Sequence, residues 1–359
     1  MIGYIIAVSF SLMIGNYASS SKKNNYCVFL FLCIFWWLLL SLQYDVGTDY
    51  FSYKHIFSSL SEVSLYYKKQ EFLFAFIATF VAKNGLPAQL GFFLMYACLF
   101  LGLFMFLKKS VLKNVFVYFY VMICCSSYLY NATNGLRQYT AIPFISLSCL
   151  CFLNKQWLQG MAFTVVGYFF HASAILTLPA ILLFVLFANK IHSRKFYLLI
   201  LLMSVFFLFW NPISVFEPLI ALTRYAHYLQ SDFMKQDRSI VNSLTKIVWL
   251  PVYVWSLYIN VGERVRRILR FGFLAQCMKL ALVKMVVFSR IALNLELLSI
   301  FPLYYVFAYA LAKKKKDTQI FVMLMYLVFG IGMMLLRFFI AWRSGLHEYS
   351  YKSVFSNFS

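Results

Sequence analysis

The sequence predicts an all-α fold, a polytopic bundle of transmembrane helices, and three observations predict it. Of 359 residues, 63% are hydrophobic, 21% aromatic and only 12% charged, with mean hydropathy +0.78. A soluble domain is about 45–50% apolar and about 25% charged, so this composition excludes a globular soluble enzyme and a disordered chain alike. The apolar stretches are of bilayer-spanning length, and short basic runs separate them. Runs such as 26–42 are continuously apolar, whereas a membrane barrel needs alternating strands, so the spanning unit is the helix. The 32 Lys and Arg outnumber the 11 Asp and Glu, for a net charge of +21. Because these cations sit between membrane segments, their partner is an anionic membrane face or an anionic substrate, not nucleic acid.

The elements follow in chain order. Residues 1–18 carry no Lys or Arg before the apolar stretch and no small-residue cleavage pattern after it, which favours a first membrane helix over a removed signal peptide. Further spans are expected at 26–42, 88–107, 115–131, 134–153, 158–170, 172–188, 196–210, 241–260, 272–289, 291–312 and 318–340. With 71–82 as an extra, this makes about 11–13 membrane segments. A helix over 71–82 is only about 18 Å long at about 1.5 Å per residue, so it is read as re-entrant or interfacial. The pair 158–170 and 172–188 is also short, and His171 sits at the bend between them. Residues 1–341 form one helical membrane domain and 342–359 a short tail.

Charge sets the orientation. Lys22, Lys23, Lys108, Lys109, Lys113, Lys155, Lys190, Arg194, Lys195, Arg264, Arg266, Arg267, Arg270 and Lys313 to Lys316 fall in connections that hold only Glu263 and Asp317 as acids. These connections, 263–270 among them, are read as the inside loops. The longer connections 43–70 and 211–240 are balanced in charge and face outward.

Six polar residues then stand out at the outward side or at outward helix ends: Asp49, Arg137, His171, Arg224, Arg290 and Arg337. An ionisable group held against the bilayer costs at least about 2.5–3.5 kcal/mol at a helix centre, which makes each a functional candidate. In QYDVGTDYFSYKHIF (43–57), Asp49 can accept a hydroxyl proton while Tyr50 and Tyr53 can stack on sugar faces. The same stretch is also consistent with an Asx-type turn and interfacial tyrosines. In NATNGLRQYTAIPF (131–144), Arg137 and Gln138 enter the first turn of a helix. A cation there opposes the helix dipole, so it either holds an anion in its bidentate fork or snorkels to headgroups. FFHASAILTLP (169–179) places His171 among aromatics, as a satisfied core residue or as the lining of a cavity. TRYAHYLQSDF (223–233) brings Arg224, His227 and Tyr228 together on a short surface helix. Arg290 precedes an apolar span whose Glu296 is too far around the helix for a direct pair, and Arg337 lies near the outward end of the last helix.

Other chemistries lack their motifs. The sequence has no Walker A, HExxH, GxSxG or DxD. The eight cysteines lie inside apolar runs without metal spacing and read as small core residues, so neither a disulfide nor a metal site is expected, and no cofactor.

With these residues in hand, the sequence resembles the EpsG family of bacterial polysaccharide polymerases, related in role to the Wzy-type O-antigen polymerases. The resemblance rests on VGTDYFSY (46–53), NGLRQYTA (134–141), the NKQW connection, FHASAILTLP (170–179), TRYAHY (223–228) and SRIALNLE (289–296), in this order. It implies a multi-pass glycosyltransferase of the bacterial cytoplasmic membrane. Such an enzyme transfers a glycan from a polyprenyl-pyrophosphate carrier onto a lipid-linked repeat unit at the outer face. By the resemblance, Asp49, Arg137 and His171 are the leading catalytic candidates, with Arg224 and Arg290 behind them; as general base for the acceptor hydroxyl, Asp49 is the first choice and His171 the second. Tyr50, Tyr53, Gln138, Tyr228 and Arg337 join them as substrate-binding candidates, although the segment holding Arg337 departs from the family. The implied partners are lipid-linked oligosaccharides and membrane lipid, with a chain-length regulator and a flippase. Two other classes stay open: a lipid-linked oligosaccharide flippase, which predicts internal symmetry and polar groups through the bundle's depth, and a membrane O-acetyltransferase, whose polar groups would cluster inward.

Overall fold

A computed structural model of the chain describes residues 6–11, 13–14, 25–110, 112, 114–126, 128–210, 218, 247–312, 316–343 and 352–353. Among them the fold is helical, with no strand beyond one isolated bridge between Gln43 and Ser353. Lys22, Lys23, Lys113 and the first part of the basic run at 313–316 lie outside the described residues, as does nearly all of 211–240.

Three described helices are long and apolar enough to cross a membrane: α5 (Ala88–Lys109), α7 (Leu136–Leu153) and α9 (Ser173–Lys190). Around them stand shorter elements. Before α5 come α1 (Asn25–Ser41), α2 (Tyr50–Ser58), α3 (Leu60–Lys68) and α4 (Phe72–Lys83). Between the three come α6 (Val115–Tyr120) and α8 (Trp157–Phe170), and after them α10 (Arg194–Phe209), α11 (Leu250–Ser256) and α12 (Glu263–Ala281). The chain closes with α13 (Val286–Leu293), α14 (Phe301–Ala312) and α15 (Lys316–Arg343).

Helix α7 is the pillar of the molecule. Apart from Arg137, all of its residues are buried, and it packs against α5, α8 and α9. A helix apolar on every side sits inside a bundle, not on its surface. Pro143, in its second turn, leaves one carbonyl without its helical partner and packs near Gly102 of α5.

Several expected boundaries are corrected. The connection 43–70 is largely helical, folded into α2 and α3. The basic stretch 263–270, read as an inside loop, is the first half of α12. Its apolar Ile268 and Leu269 are buried, and Arg267 and Arg270 donate to backbone oxygens of neighbouring helices, so the cations stabilise a helix and do not mark a loop. The span expected at 272–289 therefore ends at Ala281 and restarts as α13, and 291–312 is interrupted before α14. The span expected at 115–131 passes from α6 into a π-helical turn (Val121–Cys125) before a short turn of helix at Tyr128–Asn131. π-turns are rare and cluster at functional sites.

The 71–82 helix appears as α4, only 12 residues long. Tail residues 352–353 fold back on the first connection: Tyr44 N donates to Lys352 O (2.8 Å) and Lys352 Nζ pairs with Asp45 Oδ2 (3.0 Å).

Candidate functional site

At one end of the bundle, four sequence blocks distant from one another converge. Two connections build the rim. Gly47 adopts φ +84, and a Cβ there would meet Asn134 Oδ1 at 2.5 Å, so a glycine is required for the approach. The same Asn134 oxygen accepts Thr48 N at 2.7 Å, which docks the first connection onto the loop leading into α7. Asp49 thereby lies close enough to Arg137 to feel its charge.

The centre of the cluster is Glu71, a residue the sequence reading passed over. Helix α3 ends in a Schellman turn: Gln70 N donates to Tyr67 O (3.0 Å) and Glu71 N to Tyr66 O (3.0 Å). Gln70 takes the left-handed position at φ +62, usually a glycine's. The turn points Glu71 inward, where its side chain is 2% exposed. One carboxylate oxygen pairs with Arg137 Nη1. The other accepts Ala172 N at 3.0 Å and meets His171 Nδ1 at 3.1 Å. Arg137 also lies over the Tyr66 ring at 4.6 Å, a cation–π contact that holds its guanidinium flat, and its buried Nε has no hydrogen-bond partner.

The electrostatics assign protons. Burial by itself would push the Glu71 carboxyl up. The hydrogen bond from His171, the Arg137 charge and the Ala172 N–H outweigh it and hold the group at about 2, below the usual carboxylate range. His171, in the connection between α8 and α9, is pushed below its usual value by burial, so it is neutral near pH 7. An ionised Glu71 can only accept, so Nδ1 of the neutral ring carries the proton, and Nε2 keeps a lone pair. The carboxylate thus holds the ring in one tautomer and orientation, and Nε2 is able to accept a proton.

Asp49 caps the start of α2 without a side-chain cap bond. Partial burial pushes its carboxyl up, against the pull of the Arg290 and Arg137 charges. Arg290 is exposed at the end of α13. Gln138 Nε2 donates to Arg290 O (2.6 Å) and to Asn294 Oδ1 (3.2 Å), and Asn294 in turn donates to Ser173 and Thr177 of α9. Gln138 thus fixes α13, and with it Arg290, against α7 and α9.

The remaining candidates are placed differently. Tyr50 and Tyr53, expected as sugar-stacking rings, are 2% and 5% exposed. Tyr50 stacks on Phe92 (5.1 Å) and Tyr53 packs against Phe57, Phe74 and Phe92. Their faces are covered by other aromatics, which corrects the expectation of an open platform; Tyr53 keeps a polar role in receiving Arg137 N at 3.5 Å. Arg337 donates to Cys125 O (3.1 Å) in the π-turn, away from Glu71. Glu296, not paired with Arg290, binds Lys279 instead. Arg224, His227 and Tyr228 lie outside the described residues.

The EpsG family matches residues 26–353. The chain belongs to the EpsG family. No curated relative and no solved structure matches it. Family membership and the apolar helices make this EpsG protein a membrane protein of the exopolysaccharide polymerase-like kind. The blocks that converge on Glu71 all lie inside the matched span.

Proposed function

We propose that this EpsG protein is a multi-pass glycosyltransferase of the bacterial cytoplasmic membrane that polymerises a surface polysaccharide at the outer face. The substrate pair is a glycan on a polyprenyl-pyrophosphate carrier and a lipid-linked repeat unit. The acceptor hydroxyl oxygen forms the new bond to the anomeric carbon, the bond from that carbon to the pyrophosphate oxygen breaks, and the lipid pyrophosphate departs. The hydroxyl proton passes to His171 Nε2, with Asp49 the second candidate.

The observation that carries the reading is the Arg137–Glu71–His171 cluster, set beside Asp49 and Arg290. Glu71 orients the base. Arg137, whose buried Nε has no hydrogen-bond partner, and the exposed Arg290 would supply the fixed cations that stabilise the negative charge developing on the departing pyrophosphate.

Deleting the gene in its host and separating surface glycan from lipid-linked intermediates tests the reading. The expected result is loss of polymer with single repeat units still reaching the outer surface. Reintroduced His171→Gln and Arg137→Lys chains reach the membrane but restore less than about a hundredth of the polymer, the scale of a lost general base or bidentate clamp. Repeat units accumulating on the cytoplasmic side would indicate a transporter, and unchanged polymer lacking acetyl groups an acyltransferase; either would overturn it.

A further inference from the structure

The molecule holds a second polar centre at the opposite end of the same helices. Helices α7 and α8 have one end at the Glu71 cluster, through Arg137 and His171, and the other at Leu153 and Trp157. Helix α9 runs from Ser173 beside the cluster to Lys190. The 14 residues of α8 correspond to about 21 Å of helix at about 1.5 Å per residue, so the two centres are separate.

At the far end lies a cavity of about 1260 Å³. Among the described residues, six cations line it: Lys155, Lys190, Arg194, Arg266, Arg267 and Arg270. Glu263 is the one carboxylate among them, and His192 the one imidazole. Part of this charge has structural work. Arg267 donates to Leu153 O (2.9 Å) and Asn189 Oδ1 (3.3 Å), and Arg270 to Ala188 O (3.2 Å) and Glu263 Oε1 (3.1 Å). These bonds satisfy carbonyls near the C-terminal ends of α7 and α9. Arg266 reaches Val261 O (3.1 Å) and stands 3.8 Å from Glu263. That one carboxylate is thus shared between two arginines. Lys155, Lys190 and Arg194 have no carboxylate partner among the described residues, and Arg267 Nε is buried without a hydrogen-bond partner.

The backbone adds to this field. Helices α8, α10 and α12 all begin at the cavity, through Trp157, Arg194 and Glu263, and none has a side-chain cap bond. Three uncapped N-termini present free N–H groups and the positive ends of three helix dipoles. Arg194 in the first turn of α10 opposes its own helix dipole, an arrangement that becomes favourable when an anion sits between them. The excess of positive charge lining the cavity and the helix starts around it both call for a multiply charged oxyanion. Trp157, Leu182 and Leu186 form part of the wall and are exposed on the outer surface of the bundle, so the cavity borders the membrane side as well as water.

We infer that this cavity binds a phosphate or diphosphate group, with Lys155, Lys190 and Arg194 as its cations without a carboxylate partner, the Arg194 guanidinium also lying 4.5 Å over the Tyr258 ring, and the starts of α8, α10 and α12 as its backbone donors. Two sources share the chemistry, an anionic phospholipid headgroup and a soluble diphosphate. The full chain in phosphatidylcholine nanodiscs distinguishes them. Inorganic pyrophosphate is titrated from solution and read by tryptophan fluorescence, since Trp157 lines the cavity. Phosphatidic acid is doped into the discs and counted on the protein by native mass spectrometry.

The Lys155→Gln/Lys190→Gln/Arg194→Gln variant is expected to weaken whichever binding is seen by about tenfold or more, as loss of charge-assisted contacts requires. A triple carrying Lys108→Gln, Lys195→Gln and Arg264→Gln removes the same charge from residues outside the cavity and should stay within about twofold. Saturable pyrophosphate binding supports the site with a soluble ligand; retained phosphatidic acid without it supports the site with a lipid headgroup. Equal losses in the two triples would mean general attraction to a basic surface and overturn the inference, as would binding of neither probe by the unaltered chain. The single Arg194→Gln chain, weakened about threefold or more on the same scale, carries the test should the cavity triple fail to fold.

Discussion

Arg137 is largely buried, its side chain 19% exposed, and the carboxylate that pairs with it is Glu71. Removing one partner of a buried pair leaves an uncompensated charge and costs about 3–5 kcal/mol, whereas removing both is far milder. Glu71→Gln is therefore expected to lower the thermal midpoint of the purified protein sharply, and Glu71→Gln/Arg137→Gln to recover much of the loss. Additive losses in this double-variant cycle would mean the two side chains are not coupled. The pair also has a pH signature. Glu71 is held at about 2, below its ordinary value, so the stability it contributes is present above about pH 4.5 and is lost as pH falls toward 2. His171 is shifted the same way, downward. A neutral base works above its own value, so on the proposed function the acid limb of the polymerisation rate is expected below about pH 6.5. A limb above that value would point to a different base. Sequence reasoning reached Asp49, Arg137 and His171 because each interrupts or adjoins an apolar run. Glu71 escaped it because KKQE reads as an ordinary solvated connection. Only the turn at Gln70 carries that carboxylate inside.

Turns of this kind recur between elements. Helices α3, α4 and α7 each end with a residue at positive φ: Gln70 at +62, Gly85 at +60 and Lys155 at +62. In each, the next residue's N–H bonds back five positions, Glu71 to Tyr66, Leu86 to Val81 and Gln156 to Cys151. At Gly85 an added Cβ meets nothing within 4 Å. Gly85→Ala therefore isolates the backbone strain, which is about 1–2 kcal/mol for a non-glycine residue in this region. A measurable drop in thermal midpoint is expected there and none for Gly332→Ala, an exposed helical position with equal space. Equal behaviour of the two would show that the α4 turn carries no strain. Only one of these three turns has a glycine to announce it, which is why α2, α3 and α4 were read as one loose connection and a doubtful helix. The misreading at 263–270 has a different origin. Counting Lys and Arg locates the basic side of a bundle well, but it cannot tell a loop from a helix whose arginines satisfy their neighbours' carbonyls.

For the molecule as a whole, the decisive feature is that its two polar centres are joined by α7, α8 and α9 and lie at opposite ends of them. A membrane helix must cross a hydrocarbon core of about 30 Å, and of the three only α7 and α9 are long and apolar enough to do so; on the proposed multi-pass reading, the groups at their opposite ends belong to opposite aqueous faces. The alternation of apolar runs and basic connections already implied this polarity, since the cations concentrate at the end away from Asp49. Thr48 stands exposed at the Glu71 end and His192 exposed at the cavity. The native thiols are buried or partly buried except Cys27, so a Cys27→Ser background gives a quiet reference. In that background, Thr48→Cys should react with a membrane-impermeant maleimide added to intact cells from which the outer membrane, if any, has been removed. His192→Cys should react only after the cytoplasmic membrane is opened. The reverse pattern would place the Glu71 cluster on the cytoplasmic face, where a lipid-linked repeat unit awaiting polymerisation outside could not meet His171. Labelling of both from outside would mean that the three helices do not separate two aqueous compartments. The expected pattern would put His171, Glu71 and Arg290 on the outer side, where the proposed polymerisation takes place, and the cationic cavity on the cytoplasmic side.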